Sequence, residues 1–170
     1  AISILDLEAG TITGTIPVGS WTEDLVRSGD EALVAEMGAN RVLVLDVNSD
    51  AVIDSIPVGR EPNSLLLDDD GHLWVLCGGA DNSGARLVQV DPTSRSILND
   101  FPFSEASDRP SNLILGPDQS LYYINRGNIY QMSTAATDLP TTPFVNGADH
   151  LFYHLEINPN DGRLYATDAI

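Results

Sequence analysis

The sequence has 170 residues, of which 42% are hydrophobic and 6% aromatic, and no apolar run approaches the roughly 20 residues that a membrane-spanning helix requires. Its 25 acidic and 8 basic residues give a net charge of −17, and this surface argues against nucleic acid and anionic lipid as partners because it repels both. Every basic residue is Arg, which leaves two explanations open: a lineage bias with a solubilising acidic face, or adaptation to high salt.

The predicted elements are short strands from one end of the chain to the other. Residues 1–19 predict two strands, SILDL and TITGTIPV. Residues 20–59, 60–103 and 109–146 each predict four strands, of which TTPFVN, the last strand of the third unit, is the weakest. Residues 150–170 predict two more, FYHLEI and RLYATDAI. We expect no helix longer than a turn or two.

These units are repeats of one another. Asp6 and Asp46 are forty residues apart, as are the two copies of the tetrapeptide Ile-Pro-Val-Gly at 16–19 and 56–59, and Asp91 marks the next unit. Four short strands in about 40 to 48 residues is the period of a propeller blade. The prediction is therefore a single all-β domain over residues 1–170, a β-propeller of antiparallel blades with about 3.5 to 4 blades present.

The turns support this division. Asp68-Asp69-Asp70-Gly71, Gly116-Pro117-Asp118-Gln119 and 158–162 (NPNDG) recur between the first and second strands, where Asp, Asn and Gly tolerate left-handed backbone angles. A calcium loop is the alternative for the first of these, but the expected ligand spacing and terminal glutamate are missing.

The repeats share the sequence pattern V-x-D…I-P-V-G-x-x-P-x-x-L…D-D-G-x-L-W-V. This pattern resembles that of the YVTN/YncE-like surface-layer β-propellers, including bacterial extracellular propellers of the DUF5074 type. The resemblance covers nearly the whole chain and is strongest over residues 1–92. It implies export to the cell surface, and in some members capture of a ligand such as cobalamin. Complete members have about seven blades, so the resemblance implies that this chain is a segment of a larger propeller.

A ligand site is expected where the first strands of the blades line the central channel. Alignment on Leu25, Leu65, Leu113 and Leu155 places polar residues at equivalent channel-mouth positions in every unit. These residues are Glu23, Asp24, Asn63, Ser64, Ser111, Asn112, Tyr153 and His154. They either bind a ligand or merely satisfy loop backbone groups and channel water, and the sequence leaves both interpretations open.

Further candidates are expected on the rim around the channel mouth. Trp21, Arg60, Glu61 and Arg109 lie just before the aligned positions. The loop between the second and third strands of the second full unit, residues 78–85, is the longest insertion and predicts a flexible contact surface that includes Asp81 and Asn82.

Linear signatures of catalysis or metal binding are missing from the sequence. His150 and His154 are four residues apart in a predicted strand, where that spacing does not form a metal pair, and Cys77 lies in an apolar strand as a small buried hydrophobe. No GxSxG elbow occurs. We therefore predict no metal and no cofactor.

Two functions remain open at this stage. The favoured one is a non-enzymatic exported or cell-surface propeller whose rim loops capture a small molecule, cobalamin-like by the resemblance, or bind a cell-envelope protein. The alternative is a lactonase-like hydrolase that uses Glu23, Asn63, Asn112 and His154 in the channel, because residues from distant repeats can converge there without a linear motif.

The two ends of the chain are complementary half-blades, so three arrangements are possible. An open arc, cut from a larger propeller or completed by another chain, is favoured over a closed four-bladed ring and over self-association through exposed edges. The open arc predicts that Ile2, Ile4, Leu164 and Tyr165 lie on strand edges that no other strand of the chain covers.

Overall fold

The computed structural model of the protein describes residues 1–19 and 21–169; Ser20 and Ile170, at the boundaries of two predicted units, lie outside the described residues. The strands in this part of the chain are β1 (Ile2–Asp6), β2 (Thr11–Ile16), β3 (Thr22–Ser28), β4 (Glu31–Glu36), β5 (Arg41–Asp46), β6 (Ala51–Pro57), β7 (Pro62–Leu67), β8 (Leu73–Cys77), β9 (Arg86–Asp91), β10 (Ser96–Pro102), β11 (Ser111–Leu115), β12 (Ser120–Asn125), β13 (Asn128–Ser133), β14 (Phe152–Ile157) and β15 (Leu164–Asp168).

These strands form five antiparallel sheets in chain order. We call β3–β6 blade 1, β7–β10 blade 2 and β11–β13 blade 3; β1–β2 form the N-terminal hairpin and β14–β15 the C-terminal hairpin. One 3₁₀ turn, Met37–Ala39, is the sole helical segment of the described residues. The predicted all-β fold is confirmed.

The blades are arranged radially. β3 contacts β7, β7 contacts β11, and β11 contacts β14, so the first strand of each unit lies beside the first strand of the next. The remaining strands of each blade follow outward in chain order. This arrangement is a partial β-propeller, in which the first strands line the central channel.

The core lies between successive blades and follows from the two-residue period of a strand. Leu33 and Ala35 of β4 pack toward blade 2 against residues such as Val75, whereas Ala32 and Val34 pack toward the N-terminal hairpin. Because both faces are covered, the middle strands are almost wholly apolar. Each fully buried Leu or Val contributes roughly 1.5–3 kcal/mol, which a blade alone cannot obtain.

Blades 2 and 3 enclose an aromatic core. Trp74 stacks on Phe101 with ring centroids 6.1 Å apart, and its indole N–H donates to Asp68 Oδ2 over 2.8 Å. Asp68 is only 6% exposed and also accepts the His72 N–H. The carboxylate that begins the Asp-Asp-Asp-Gly turn therefore caps the hairpin, and Gly71 completes the turn at a φ of 82°.

The aspartates that mark the repeat have a structural role. Asp46 Oδ1 accepts the backbone N–H groups of Asn48 and Ser49, and Asp91 Oδ1 accepts those of Thr93 and Ser94. Asp6 does the same in the N-terminal hairpin. These Asx turns close the hairpin between the third and fourth strands, which explains why aspartate recurs there.

Blade 3 departs from the prediction at its fourth strand. TTPFVN contributes only one bridge, between Ile129 and Val145, and Phe144 N–H donates to the Ile129 carbonyl beside it. The physical reason is that Pro140 and Pro143 have no backbone N–H, so the preceding segment cannot extend the ladder.

Each terminal hairpin has an edge, that of β1 and that of β15, which is not paired with any described strand. β1 pairs with β2 alone and β15 with β14 alone, which agrees with the open arc and contradicts a closed four-bladed ring. Leu5 is 59% exposed although its repeat equivalent, Leu45, is 2% exposed. The difference arises because the N-terminal hairpin, which precedes blade 1, packs against the face that carries Leu45, whereas no described unit precedes that hairpin to cover Leu5.

Candidate functional site

A β-bulge interrupts the first strand of each blade at the same place. The register of β3 shifts between Thr22 and Leu25, that of β7 between Pro62 and Ser64, and that of β11 between Ser111 and Ile114. β14 has the equivalent shift. Bulges re-aim side chains, and here they turn polar residues from successive blades toward the channel.

These residues line a cavity of about 390 Å³ at the channel mouth. Its lining comprises Glu23, Asp24, Asn63, Ser64, Ser111, Asn112, Leu113 and His154. The structure thus brings seven of the eight predicted channel-mouth residues together. Tyr153 is the exception, because its 75% exposed side chain is not part of the lining.

Three of these side chains hold neighbouring blades together. Asp24 Oδ2 accepts the Leu65 N–H over 2.7 Å and so links blade 1 to blade 2. The Asn63 side-chain amide donates to the Pro110 carbonyl over 2.9 Å, ahead of blade 3. We call these contacts, together with the one described next, the blade clasps.

The last blade clasp joins blade 3 to the C-terminal hairpin. The Asn112 side-chain amide donates to the Tyr153 carbonyl over 2.9 Å, and Asn112 has a φ of 56°. Tyr153 therefore contributes its backbone to the site. The blade clasps satisfy backbone groups, which is the structural role that the sequence left open for these positions.

Other groups at the channel mouth have no protein partner. In residues 1–19 and 21–169, the side chains of Glu23 and His154 form no hydrogen bond or ion pair, and both are exposed. Asn63 Oδ1 is sealed from solvent and accepts no hydrogen bond from the described chain. The mouth thus offers the carboxylate of Glu23 and the imidazole of His154.

On the rim, two arginines bracket the long loop of blade 2. Arg60 Nη2 lies 3.1 Å from Asp81 Oδ2, and Arg109 Nη2 donates to Asn82 Oδ1 over 2.9 Å. Asp81 and Asn82 have φ values of 50° and 59°. The predicted flexible loop is therefore tied to both flanking blade junctions.

A smaller rim cavity of about 260 Å³ lies beside this loop. Trp21, Arg60 and Glu61, three of the predicted rim residues, line it, and Trp21 is 69% exposed. The other side of this cavity was not predicted from the sequence; it is the segment that contributes Met37, Gly38 and Asn40, where Asn40 Oδ1 accepts the Glu61 N–H. That segment is the second-to-third strand loop of blade 1, so the repeat alignment that identified the loop of blade 2 would also have found it.

Neither a metal cluster nor a spanning helix is found in the described ranges. No group of three or more His, Cys, Asp or Glu side chains there could hold a metal ion. His150 is instead paired with Asp168, with Nδ1 2.5 Å from Oδ2. No helix among the described residues is both long and apolar enough to cross a membrane.

Comparison with known proteins identifies the class of fold. No protein-family model matches the sequence. The hydrazine synthase of Kuenenia stuttgartiensis is 18% identical with a TM-score of 0.82, over 98% of this chain and 49% of that one. The β-propeller domain of Cps50 from Myceliophteria thermophila is 16% identical with a TM-score of 0.70, over 93% of this chain and 51% of that one.

Two further similarities involve bacterial proteins. The extracellular domain of a one-component system from Bacteroides thetaiotaomicron is 14% identical with a TM-score of 0.67, over 87% of this chain and 19% of that one. Antigen Lp49 of Leptospira interrogans is 27% identical over 103 residues, which cover 54% of this chain and 22% of the antigen. The chain thus spans about half of the hydrazine synthase chain and of the Cps50 domain, and about a fifth of the antigen and of the extracellular domain.

Proposed function

We propose that the chain belongs to a non-enzymatic β-propeller displayed outside the cell membrane, which captures a small polar molecule at its channel mouth. Surface exposure is supported by the likeness to an extracellular domain and to an antigen. The YVTN/YncE-like surface-layer resemblance of the repeat points the same way. Because β-propellers host many unrelated activities, the proposed function rests on the geometry of the site and not on the fold.

The observation that carries the proposal is the channel-mouth cavity itself. It takes residues from four successive units, and its volume of about 390 Å³ falls in the range of about 300–1,000 Å³ typical of small-molecule sites. The blade clasps fix the backbone around it, while Glu23 and His154 remain available. A pre-formed site with unengaged polar groups suits binding because little ordering is needed.

The charge of the site limits the ligand class. Glu23 and Asp24 lie at the mouth of a chain with a net charge of −17, so we expect a ligand that is neutral or cationic and carries hydrogen-bonding groups. A cobalamin-like molecule is larger than the cavity and would cover the mouth and contact the rim around Trp21. A cell-envelope protein that inserts a polar side chain is the other partner consistent with this surface.

The test is a thermal-shift screen of neutral and cationic small molecules that includes cyanocobalamin. Binding to the folded state raises the melting temperature, and Glu23→Gln together with His154→Ala should abolish the rise. Glu8→Gln is the matched control, because it makes the same chemical change on the exposed turn of the N-terminal hairpin. Equal shifts in the wild type and the double variant would refute the site.

A hydrolase is the second candidate, because Glu23 and His154, a carboxylate and an imidazole, line one cavity and neither is engaged by the described chain. This pair could supply general acid–base catalysis. Lactone hydrolysis and stoichiometric metal content, measured on the same variants, separate the two functions. Turnover that His154→Ala abolishes would favour the enzyme, whereas stabilisation without turnover favours capture.

A further inference from the structure

A separate cavity of about 340 Å³ lies between blades 2 and 3 and shares no lining residue with the channel mouth or the rim cavity. We call it the inter-blade cavity. The segment that follows β10, the loop between β12 and β13, and residues 139–141 form its walls. None of its aromatic residues belongs to the candidate site described above.

Two stacked tyrosines line this cavity. The rings of Tyr123 and Tyr130 are 5.5 Å apart at an interplanar angle of 9°, and Phe103 contacts Tyr123 edge-on with ring centroids 5.7 Å apart. Tyr123 is 1% exposed and Tyr130 is 8% exposed. Neither hydroxyl has a hydrogen-bond partner in the described chain, although a buried tyrosine hydroxyl usually finds one.

The Tyr123 hydroxyl must therefore open into the inter-blade cavity. The unpartnered polar atoms that are sealed from solvent belong to Glu36, Asn63, Arg95 and Gln119, not to Tyr123. A residue so deeply buried, with a hydroxyl that is neither sealed nor bonded, reaches solvent only through the cavity that it lines. Burial raises the pKa of Tyr123, with smaller contributions from Tyr130 and Asp108, so the hydroxyl stays neutral.

A satisfied polar frame holds the tyrosines in place. Asp108 is 4% exposed and accepts hydrogen bonds from the Asn125 side-chain amide and the Glu105 N–H, each over 2.8 Å. Asn125 Oδ1 in turn accepts the Arg109 N–H over 3.0 Å. Because these groups already have partners, a ligand would instead meet the tyrosine hydroxyls and the guanidinium of Arg126.

The apolar lining and the charged residues of the inter-blade cavity indicate which class of ligand it can bind. Phe103 and Leu139 offer apolar surface, and the Arg126 charge is offset by Asp108, whose Oδ1 lies 3.8 Å from Arg126 Nε, and by Glu105 at the lip. Neutral hydroxyls both donate and accept hydrogen bonds, so they match the hydroxyls of a polyol. A volume near the lower end of known ligand sites suits one or two sugar rings.

We propose that the inter-blade cavity binds a neutral mono- or disaccharide, with the Tyr123 and Tyr130 hydroxyls hydrogen-bonded to sugar hydroxyls and Phe103 against a sugar ring face. This inference is independent of the proposed channel-mouth function, because the two sites share no residue. Glu23→Gln should leave sugar binding unchanged, so failure at either site can be recognised separately.

Saturation-transfer difference NMR on the 170-residue chain tests the proposal. The neutral probes are glucose, galactose, N-acetylglucosamine, maltose and cellobiose, and the charged probes are glucuronate and glucosamine. Tyr123→Phe and Tyr130→Phe remove only the unpartnered hydroxyls, so each should weaken sugar binding by roughly tenfold without lowering the melting temperature. Tyr122→Phe is the matched control.

The Tyr122→Phe control differs from the two cavity variants because the Tyr122 hydroxyl has a hydrogen-bond partner in the protein. The Tyr122 hydroxyl accepts a hydrogen bond from the Gln131 side-chain amide over 2.8 Å and is not part of the inter-blade cavity. Tyr122→Phe should therefore lower the melting temperature and leave sugar binding intact. Absence of signal from every neutral sugar, preference for either charged probe, unchanged binding by both cavity variants, or a loss of stability in Tyr123→Phe would each overturn the proposal.

Discussion

Asp24→Ala should destabilise the fold although Asp24 lies in the candidate ligand site. The substitution removes the acceptor of two backbone N–H groups, those of Leu25 and Leu65, each 2.7 Å from a carboxylate oxygen. Leu25 is 48% exposed, so water replaces the lost bond there at little cost. Leu65 is 4% exposed, and a buried N–H without a partner costs about 1–3 kcal/mol.

The expected loss for Asp24→Ala is therefore about 1–3 kcal/mol, or a fall of roughly 2–12 °C in the melting temperature for a domain of this size. Asp24→Asn keeps an acceptor oxygen and should lose less. Urea unfolding monitored by circular dichroism measures these free energies, with Glu23→Gln as the adjacent control that touches no blade clasp. A loss of under about 0.5 kcal/mol in Asp24→Ala, the level of an ordinary surface change, would refute the clasp.

The remaining predictions concern separate parts of the molecule. Asp68→Ala leaves a buried indole N–H without its acceptor and should cost about 1–3 kcal/mol in urea unfolding, whereas an unchanged midpoint would contradict that role. Burial raises the pKa of Cys77 to about 12, so Ellman's reagent at pH 8 should label it only after unfolding. The Ser94 hydroxyl lowers the pKa of Asp91; this contribution to stability is present above the unfolded-state pKa and lost as pH falls through the folded-state pKa. Ser94→Ala should move the Asp91 titration, followed by NMR, to higher pH. Sedimentation of the 170-residue chain should show association through the uncovered strand edges, weakened by Leu5→Glu; a monomer at all concentrations would count against it.

Much of the fold follows from local features that the sequence displays. The two-residue alternation specifies strands, and the turn aspartates specify where hairpins close, as at Asp46 and Asp91. Because every repeat is built alike, alignment on one leucine per unit identified polar positions, seven of which line the channel-mouth cavity. Among the described residues, the segment before Val145 departed from this rule, because prolines removed the donors that a fourth strand needs.

The function of each aligned polar residue depended on the tertiary structure. Asp24 and Leu65 are 41 residues apart, and Asn63 and Pro110 are 47 apart, so no local pattern shows that their side chains join blades. Local sequence also does not distinguish the roles of neighbouring residues in one strand. Tyr122 is hydrogen-bonded within its own blade, whereas Tyr123 lines the inter-blade cavity, because successive side chains point to opposite faces and only the packed neighbour decides what each face meets.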